Sequence, residues 1–149
     1  MKYHKFTTQT IIEKPLETVF SYFGDAANLQ DLTPPWLHFK IITKLPIDMK
    51  KDALIDYQLK LYGIPFHWQT KILGWSPPDH FVDIQLKGPY KEWIHIHRFE
   101  KQGKNTIMND QVYYSLPFGW LSIPARYLLV RKNIEKIFDY RRKQLINLL

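Results

Sequence analysis

The chain has 149 residues and a formal net charge of +7, and 45% of its residues are hydrophobic and 15% aromatic. This length and composition predict one domain over residues 1–149 with a core of its own, and they exclude an intrinsically disordered chain. There is no cysteine, which excludes disulfides and thiolate chemistry. No apolar run approaches the roughly 20 residues of a membrane-spanning helix, and no apolar signal core precedes the first predicted strand, so we expect a cytoplasmic protein.

The first part of the chain predicts two strands with two short helices between them. The threonine-rich residues 3–12 favour an extended strand. Pro15 opens a short helix, and a second short helix is predicted over residues 25–32. Residues 33–35 end this helix, because a residue that precedes proline avoids the helical conformation. Residues 36–43 form the second predicted strand.

The middle of the chain predicts five further strands in an antiparallel meander. Turns rich in glycine and proline separate segments in which apolar and polar residues alternate. The predicted strands are residues 53–62, 66–75, 80–87, 91–101 and 106–116.

The last segment, residues 120–149, predicts one long amphipathic helix. At 100° per residue, eight apolar side chains fall on one stripe. They are Ile123, Tyr127, Val130, Ile134, Ile137, Phe138, Leu145 and Leu148. Ser122 is the expected cap, with Pro124 in the first turn. A single apolar stripe needs a partner surface, so we predict an α+β fold in which a curved antiparallel sheet packs around this helix and leaves a cavity.

The basic charge is concentrated on the same helix. From Trp120 onward there are seven basic and two acidic residues, a net charge of +5, whereas the preceding residues carry 14 basic and 12 acidic residues, a net charge of +2. A solvated outer face explains this pattern most simply. A surface for anionic lipid or an acidic partner is the alternative, so peripheral membrane contact stays open. No nucleic-acid motif accompanies the charge, and we expect no nucleic-acid binding.

The strands at residues 80–87 and 91–101 contain the side chains that are best suited to ligand binding or acid–base chemistry. If the three residues between Lys87 and Lys91 form the turn, Asp83 lies opposite His95 and Phe81 lies opposite His97. Side chains two residues apart share a face of a strand, so these four share one face with Trp93. We assign this face to the cavity, since a mixture of aromatic and polar residues is typical of ligand pockets.

The position of the second carboxylate depends on the following turn. A four-residue turn over 102–105 places Asp110 opposite His97, whereas a turn shorter by one residue places Asn109 there. An Asp83–His95 or an Asp110–His97 pair could then act as an oriented general acid or base. The alternative is a satisfied polar pair that only shapes the cavity.

These four residues, His95, His97, Asp83 and Asp110, are the candidate catalytic residues. No serine or cysteine nucleophile accompanies them. The spacing of the two histidines suits a metal, but the sequence identifies no third ligand, so we predict neither a metal nor a cofactor.

The predicted pocket lining combines aromatic and polar side chains of one sheet face, although plain core packing is the alternative for each. The lining residues are Tyr57, Leu59, Trp68, Phe81, Trp93, His95, His97 and Phe99. Arg141 joins them because it falls on the apolar stripe of the helix, where a charge must be paired. It forms either a structural salt bridge to a carboxylate of a sheet or loop, or a clamp for a ligand carboxylate at the cavity mouth.

The order of elements and a series of local strings together resemble a known superfamily. The strings are Pro15 with Val19-Phe20, residues 32–36 (LTPPW), 63–65 (GIP) before Trp68, 75–78 (WSPP), Phe81-x-Asp83-x-Gln85, 88–90 (GPY), Trp93-x-His95-x-His97-x-Phe99, Asp110, Tyr114, 116–119 (LPFG) and 138–141 (FDYR). They resemble the START-like superfamily, also called SRPBCC, helix-grip or Bet v 1-like, and within it the bacterial cyclase/dehydrase group.

This resemblance implies the helix-grip fold, in which about seven antiparallel strands (order β-α-α-β6-α) grip the last helix around an apolar cavity. Members bind lipids, sterols, polyketides or other hydrophobic small molecules, and some cyclise or dehydrate polyketides. We therefore expect a binding protein for a hydrophobic small molecule. The two alternatives are a polyketide cyclase or dehydratase with His95 or His97 as general base, and an interaction module that uses the basic helix.

Overall fold

The structure, a computed structural model, describes residues 3–117 and 124–149. In chain order its elements are β1 (His4–Ile12), α1 (Leu16–Phe23), two 3-10 helices (Ala26–Leu29 and Pro35–Leu37), β2 (Lys40–Ile41), β3 (Leu54–Leu61), β4 (Ile64–Ser76), β5 (His80–Lys87), β6 (Glu92–Gln102), β7 (Asn105–Ser115) and α2 (Pro124–Leu148). Within the described residues, the seven strands form one antiparallel sheet in the spatial order β1-β7-β6-β5-β4-β3-β2. This architecture confirms the predicted α+β helix-grip class.

The sheet bends where β4 pairs with β5. The pairing register shifts between Gln69 and Thr70 and again between Ile72 and Gly74. Such irregularities increase the local twist and bend of a strand, which helps a sheet to curve around a helix.

The registers that the turn lengths predicted are confirmed. Phe81 pairs with His97 and Asp83 pairs with His95 between β5 and β6. His97 pairs with Asp110 between β6 and β7, and Gln102 pairs with Asn105 at the turn. The four-residue alternative is therefore the correct one, and Asp110 faces the same side of the sheet as the two histidines.

Three element boundaries differ from the prediction. The second strand is only two residues long, because Pro35 begins a 3-10 helix that ends at His38 with a positive φ of 48°. The second helix is a single 3-10 turn after Asp25, whose carboxylate accepts a hydrogen bond from the Ala27 N–H. Strand β4 begins before Phe66, because Tyr62 and Gly63 alone make the turn with φ values of 54° and 75°. Two residues with positive φ form the tight turn that suits a twisted hairpin.

Helix α2 packs its inner stripe on the sheet. Val130, Ile134 and Phe138 are buried in one apolar cluster with β1, β3, β4 and β7, and Leu145 is buried in a second cluster with α1. The prediction was wrong for Leu148, which is 50% exposed. Leu149 packs against the second cluster instead. The predicted cap Ser122 and the stripe residue Ile123 lie outside the described residues.

None of the helices in the described part of the chain is long and apolar enough to cross a lipid bilayer.

Candidate functional site

A cavity of about 190 Å³ lies between the sheet, α1 and α2. Most of its lining is apolar, with a few polar groups from the sheet and from α2. The lining includes nine residues that the sequence singled out, namely Tyr57, Leu59, Trp68, Phe81, Asp83, Trp93, His95, His97 and Arg141. Trp93 and His95 therefore face the cavity between the sheet and α2 and not bulk solvent.

Two of the predicted site residues do not line this cavity. Phe99 lies beyond it in the second apolar cluster, where its ring centroid is 5.1 Å from that of Phe20 and 5.3 Å from that of Phe23. Helix α1 covers β6 at this point, so the Phe99 side chain packs in the hydrophobic core and not against the cavity. Asp110 is 1% exposed and contacts the two histidines without lining the cavity itself.

Sequence reasoning missed the part of the lining that comes from other elements. The helices and loops contribute Tyr22, Phe23, Leu32, Phe39, Met49 and Ile137, and strand β4 contributes Thr70 and Ile72. The β4 residues alternate with Trp68, so strand periodicity could have found them. The loop residues carried no such signal, because only the tertiary fold brings residues 26–49 over the cavity.

The two histidines and two aspartates form one buried hydrogen-bonded network. His95 Nε2 donates to Asp110 Oδ1 at 2.7 Å, and His97 Nε2 donates to Asp83 Oδ2 at 2.6 Å. His97 Nδ1 lies 3.3 Å from Asp110 Oδ1 but forms no hydrogen bond. The partners are thus the diagonal neighbours. Of the two alternative pairs that the register predicted, Asp110 with His97 is present as an ion-pair contact, whereas Asp83 with His95 forms neither a hydrogen bond nor an ion pair among the described residues.

Ring stacking fixes the orientation of the network. The His95 and His97 ring centroids are 3.6 Å apart, and the Phe81 ring stacks on the other side of His97 at 3.9 Å. Phe138 of α2 lies edge-on to His95 with a centroid distance of 5.4 Å. Each imidazole is therefore held by rings as well as by a carboxylate.

The environments of the two histidines move their pKa values in opposite directions. Burial and the neighbouring His97 lower the pKa of His95 to about 4, although Asp110 opposes this. Burial also disfavours a charge on His97, but the Asp110 carboxylate 3.3 Å from Nδ1 and the hydrogen-bonded Asp83 carboxylate prevail and raise its pKa. The pKa values of both carboxyl groups are lowered, because their hydrogen bonds to the histidines outweigh burial.

With a pKa of about 4, His95 is neutral at neutral pH, whereas the raised pKa of His97 favours its charged form. A carboxylate only accepts, so the hydrogen of neutral His95 sits on Nε2 and its Nδ1 keeps a lone pair.

A set of aromatic rings forms the other part of the cavity wall. Trp68 stacks on Tyr57 at 6.0 Å and lies edge-on to Trp93 at 5.5 Å, with Tyr90 at 5.8 Å. The Tyr57 hydroxyl hydrogen-bonds the Thr70 hydroxyl at 2.9 Å. The buried Trp68 Nε1 has no hydrogen-bond partner among the described residues. Tyr90 is 9% exposed and lines the cavity.

Arg141 reaches the cavity from α2, as its place on the apolar stripe predicted. Its guanidinium carbon lies 5.3 Å from the Phe23 ring centroid and 5.8 Å from the Phe138 centroid. The predicted salt bridge is absent among the described residues, and the buried Nε has no hydrogen-bond partner there. The nearby Asp139 pairs with Arg142 and Lys143 instead.

The other charges of α2 are partly paired on its outer face. Arg131 contacts Glu135 at 3.2 Å and donates a hydrogen bond to the Lys5 carbonyl. Lys132 and Lys136 are exposed. A role for this face in membrane or partner contact stays a prediction.

The network brings a third potential metal ligand, Asp83, close to the two histidines. Asp83, His95 and His97 can each offer one ligand atom, and these atoms lie within 4.8 Å of one another. The Nε2 atom of each histidine is already hydrogen-bonded to a carboxylate, so a metal ion would have to displace at least one of these bonds.

Comparisons with known proteins identify the fold. No protein-family model matches the sequence, and no protein of curated function matches it. Among solved structures, the Zhui aromatase/cyclase from Streptomyces sp. R1128 superposes with a TM-score of 0.79 at 10% sequence identity, over 98% of this chain and 93% of that chain. The protein Ara h 8.0201 superposes with a TM-score of 0.67 at 12% identity, over 98% and 99% of the two chains.

A third solved structure has a higher sequence identity to this chain. A nucleoside-diphosphate sugar epimerase from Corynebacterium glutamicum superposes with a TM-score of 0.71 at 25% identity, over 95% of this chain but only 28% of that one. The chain therefore has the predicted helix-grip fold, which it shares with these structures.

Proposed function

We propose that this protein binds a small hydrophobic molecule in the cavity between its sheet and α2. The observation that carries the proposal is the cavity of about 190 Å³ with a largely apolar lining. A closed apolar cavity of about 150 Å³ is sufficient to take up benzene, so this one has room for a substituted ring or a short chain. The aromatase/cyclase and Ara h 8.0201 share this fold, which makes an internal ligand site a reasonable expectation.

In this proposal, the free energy of binding comes from the transfer of apolar ligand surface from water into the cavity. Burying about 200 Å² of apolar ligand surface contributes about 5 kcal/mol before the cost of immobilising the ligand. The rings of Trp68, Trp93 and Tyr57 offer flat surfaces for an aromatic occupant. The remaining predicted lining residues Leu59, Phe81, His95 and His97 complete the wall, while Phe99 supports it from behind.

Filling the cavity tests the proposal. Leu59→Trp adds a ring inside the lining, whereas the control Leu73→Trp places the same ring on an exposed position of β4. With naphthalene as probe, we expect the indole N–H resonances of Trp68 and Trp93 to shift in the wild type and in Leu73→Trp. In Leu59→Trp the shifts should be reduced at least tenfold at equal naphthalene concentration. If naphthalene moves neither resonance in the wild type, the protein does not bind in this cavity.

A second candidate function is acid–base catalysis on a polyketide-like substrate. One observation favours it, namely two stacked histidines beside the cavity whose pKa values are shifted apart. Such a separation suits a base and an acid at one site, with neutral His95 as base and protonated His97 as acid. The low pKa of His95 makes it a weak base, which is why binding without turnover remains the leading proposal.

Turnover separates the two functions. If the protein is a cyclase or dehydratase, the wild type should convert an open-chain polyketide analogue. The control variant His80→Gln changes an exposed histidine of β5 and should convert it equally well. His95→Gln should lower the rate at least 100-fold while the fold and probe binding persist. Absence of conversion in the wild type, or equal rates in both variants, removes this candidate.

A further inference from the structure

We infer that the occupant of the cavity is an organic acid whose carboxylate pairs with Arg141. The inference rests on the proposed function, because it specifies the chemical class of the molecule bound. It deepens that function by assigning one end of the ligand to one side chain of α2.

The first argument is that Arg141 has one buried donor, Nε, without a partner in the described part of the chain. Its Nε is buried without a hydrogen-bond partner among the described residues, and it forms no ion pair there. Leaving a buried donor unpaired costs free energy, and the cost is larger for a charged group. A group that contributes acceptor oxygens inside the cavity would remove this cost.

The second argument is that the neighbouring carboxylates are committed elsewhere. Asp139 pairs with Arg142 and Lys143 on the outer side of the helix. Asp83 and Asp110 accept hydrogen bonds from His97 and His95. Arg141 acts on the two inner carboxylates electrostatically, since its charge helps to lower their pKa values, but it does not pair with them.

The third argument is that aromatic rings hold the guanidinium in place. It lies over the rings of Phe23 and Phe138, both of which line the cavity. A guanidinium stacked on rings keeps its planar edge available for bidentate pairing with a carboxylate. The site is thus preorganised toward an anion, which reduces the ordering cost of binding.

The other unpartnered polar atoms of the lining point to the same chemistry. Tyr22 OH and Trp68 Nε1 are buried without hydrogen-bond partners among the described residues, and both residues line the cavity. Indole Nε1 and guanidinium Nε can only donate. Because these two atoms need acceptors, the ligand should bring oxygen atoms. The charge of Arg141 favours an anionic oxygen at its end of the cavity, and the cavity volume limits the rest of the molecule to about one ring or a short chain.

Two isosteric probes test the inference. 3-Phenylpropionate and 3-phenylpropanamide have the same skeleton, and at pH 7 only the first is charged. Isothermal titration calorimetry should show that the wild type binds the acid 10- to 100-fold more tightly than the amide. Arg141→Met should abolish this preference by weakening acid binding while the affinity for the amide stays within about twofold.

Two further variants control the result. Arg142→Met removes an exposed arginine one residue away and should leave the preference unchanged. Arg141→Lys keeps the charge but loses the planar donor edge, and it should retain part of the preference even if Arg141→Met folds poorly. Thermal unfolding of every variant is measured alongside.

The outcomes distinguish this inference from the function on which it rests. Equal affinities of the wild type for acid and amide would leave cavity binding intact and overturn the acid assignment. A preference that survives in Arg141→Met, or that Arg141→Lys leaves undiminished, would also overturn it, and would make Arg141 a purely structural residue. If neither probe binds and naphthalene does not bind either, the proposed function fails together with the inference.

Discussion

Replacing Asp110 with alanine is expected to lower the free energy of unfolding by about 3–5 kcal/mol. Asp110 is 1% exposed, accepts the 2.7 Å hydrogen bond from His95 Nε2, and lies 3.3 Å from His97 Nδ1. Its loss leaves a buried N–H without an acceptor and removes one of the two carboxylates that raise the pKa of His97. Urea denaturation at pH 7, monitored by tryptophan fluorescence, measures the change.

Two comparison variants identify the cause. Asp139→Ala removes an exposed carboxylate of α2 that pairs only with surface cations, and it should leave the free energy of unfolding almost unchanged. Asp110→Asn keeps an acceptor oxygen but no charge, so its cost should fall between the two. If Asp110→Ala is no more destabilised than Asp139→Ala, the network contributes nothing to stability.

The second expected result is a loss of stability on the acid side that depends on His95. The pKa of His95 falls from its ordinary value of 6.5 to about 4 in the folded protein. Between these two pH values the unfolded chain binds a proton that the folded protein excludes, so stability falls as the pH decreases from 6.5 to 4. The shift corresponds to about 3 kcal/mol.

The pKa shift of His97 predicts the opposite dependence. Because its pKa is raised on folding, its contribution is fully present below pH 6.5 and is lost as the pH rises through the folded value. Urea denaturation from pH 4 to pH 9 should therefore show a weaker acid-side loss in His95→Gln and a weaker alkaline loss in His97→Gln. Proton NMR of the imidazole C–H groups reports the two titrations directly. A wild-type His95 that titrates near 6.5 would contradict the burial argument.

These results bear on how far the sequence determined the site. The turn length and the two-residue period of a strand were enough to place Asp83, His95 and His97 on one face. Asp110 belonged to that face only if the next turn had four residues, and the structure decided this. The helical period was likewise enough to turn Arg141 inward. Local chemistry thus predicted the members of the candidate site, although their role in binding stays a prediction.

The hydrogen-bond partners within that face were not predictable in the same way. His95 reaches Asp110 and His97 reaches Asp83 across a diagonal, although other residues lie directly opposite. Diagonal neighbours on a sheet are within reach of long side chains, and which one is chosen depends on twist and on the rings that pack alongside. Register alone does not contain this information.

The sequence by itself determined the order of elements, the register of β5 with β6 and most of the inner stripe of α2, because each follows from periodicities and turn lengths of a few residues. The tertiary structure alone decided three things: the short second strand, the packing of Phe99 against α1, and the absence of an ion pair on Arg141 within the described residues. Each of these depends on residues that are distant in the chain and meet only when the sheet closes on the helix. The buried Nε of Arg141, which has no partner among residues 3–117 and 124–149, is the observation from which the acid assignment is proposed.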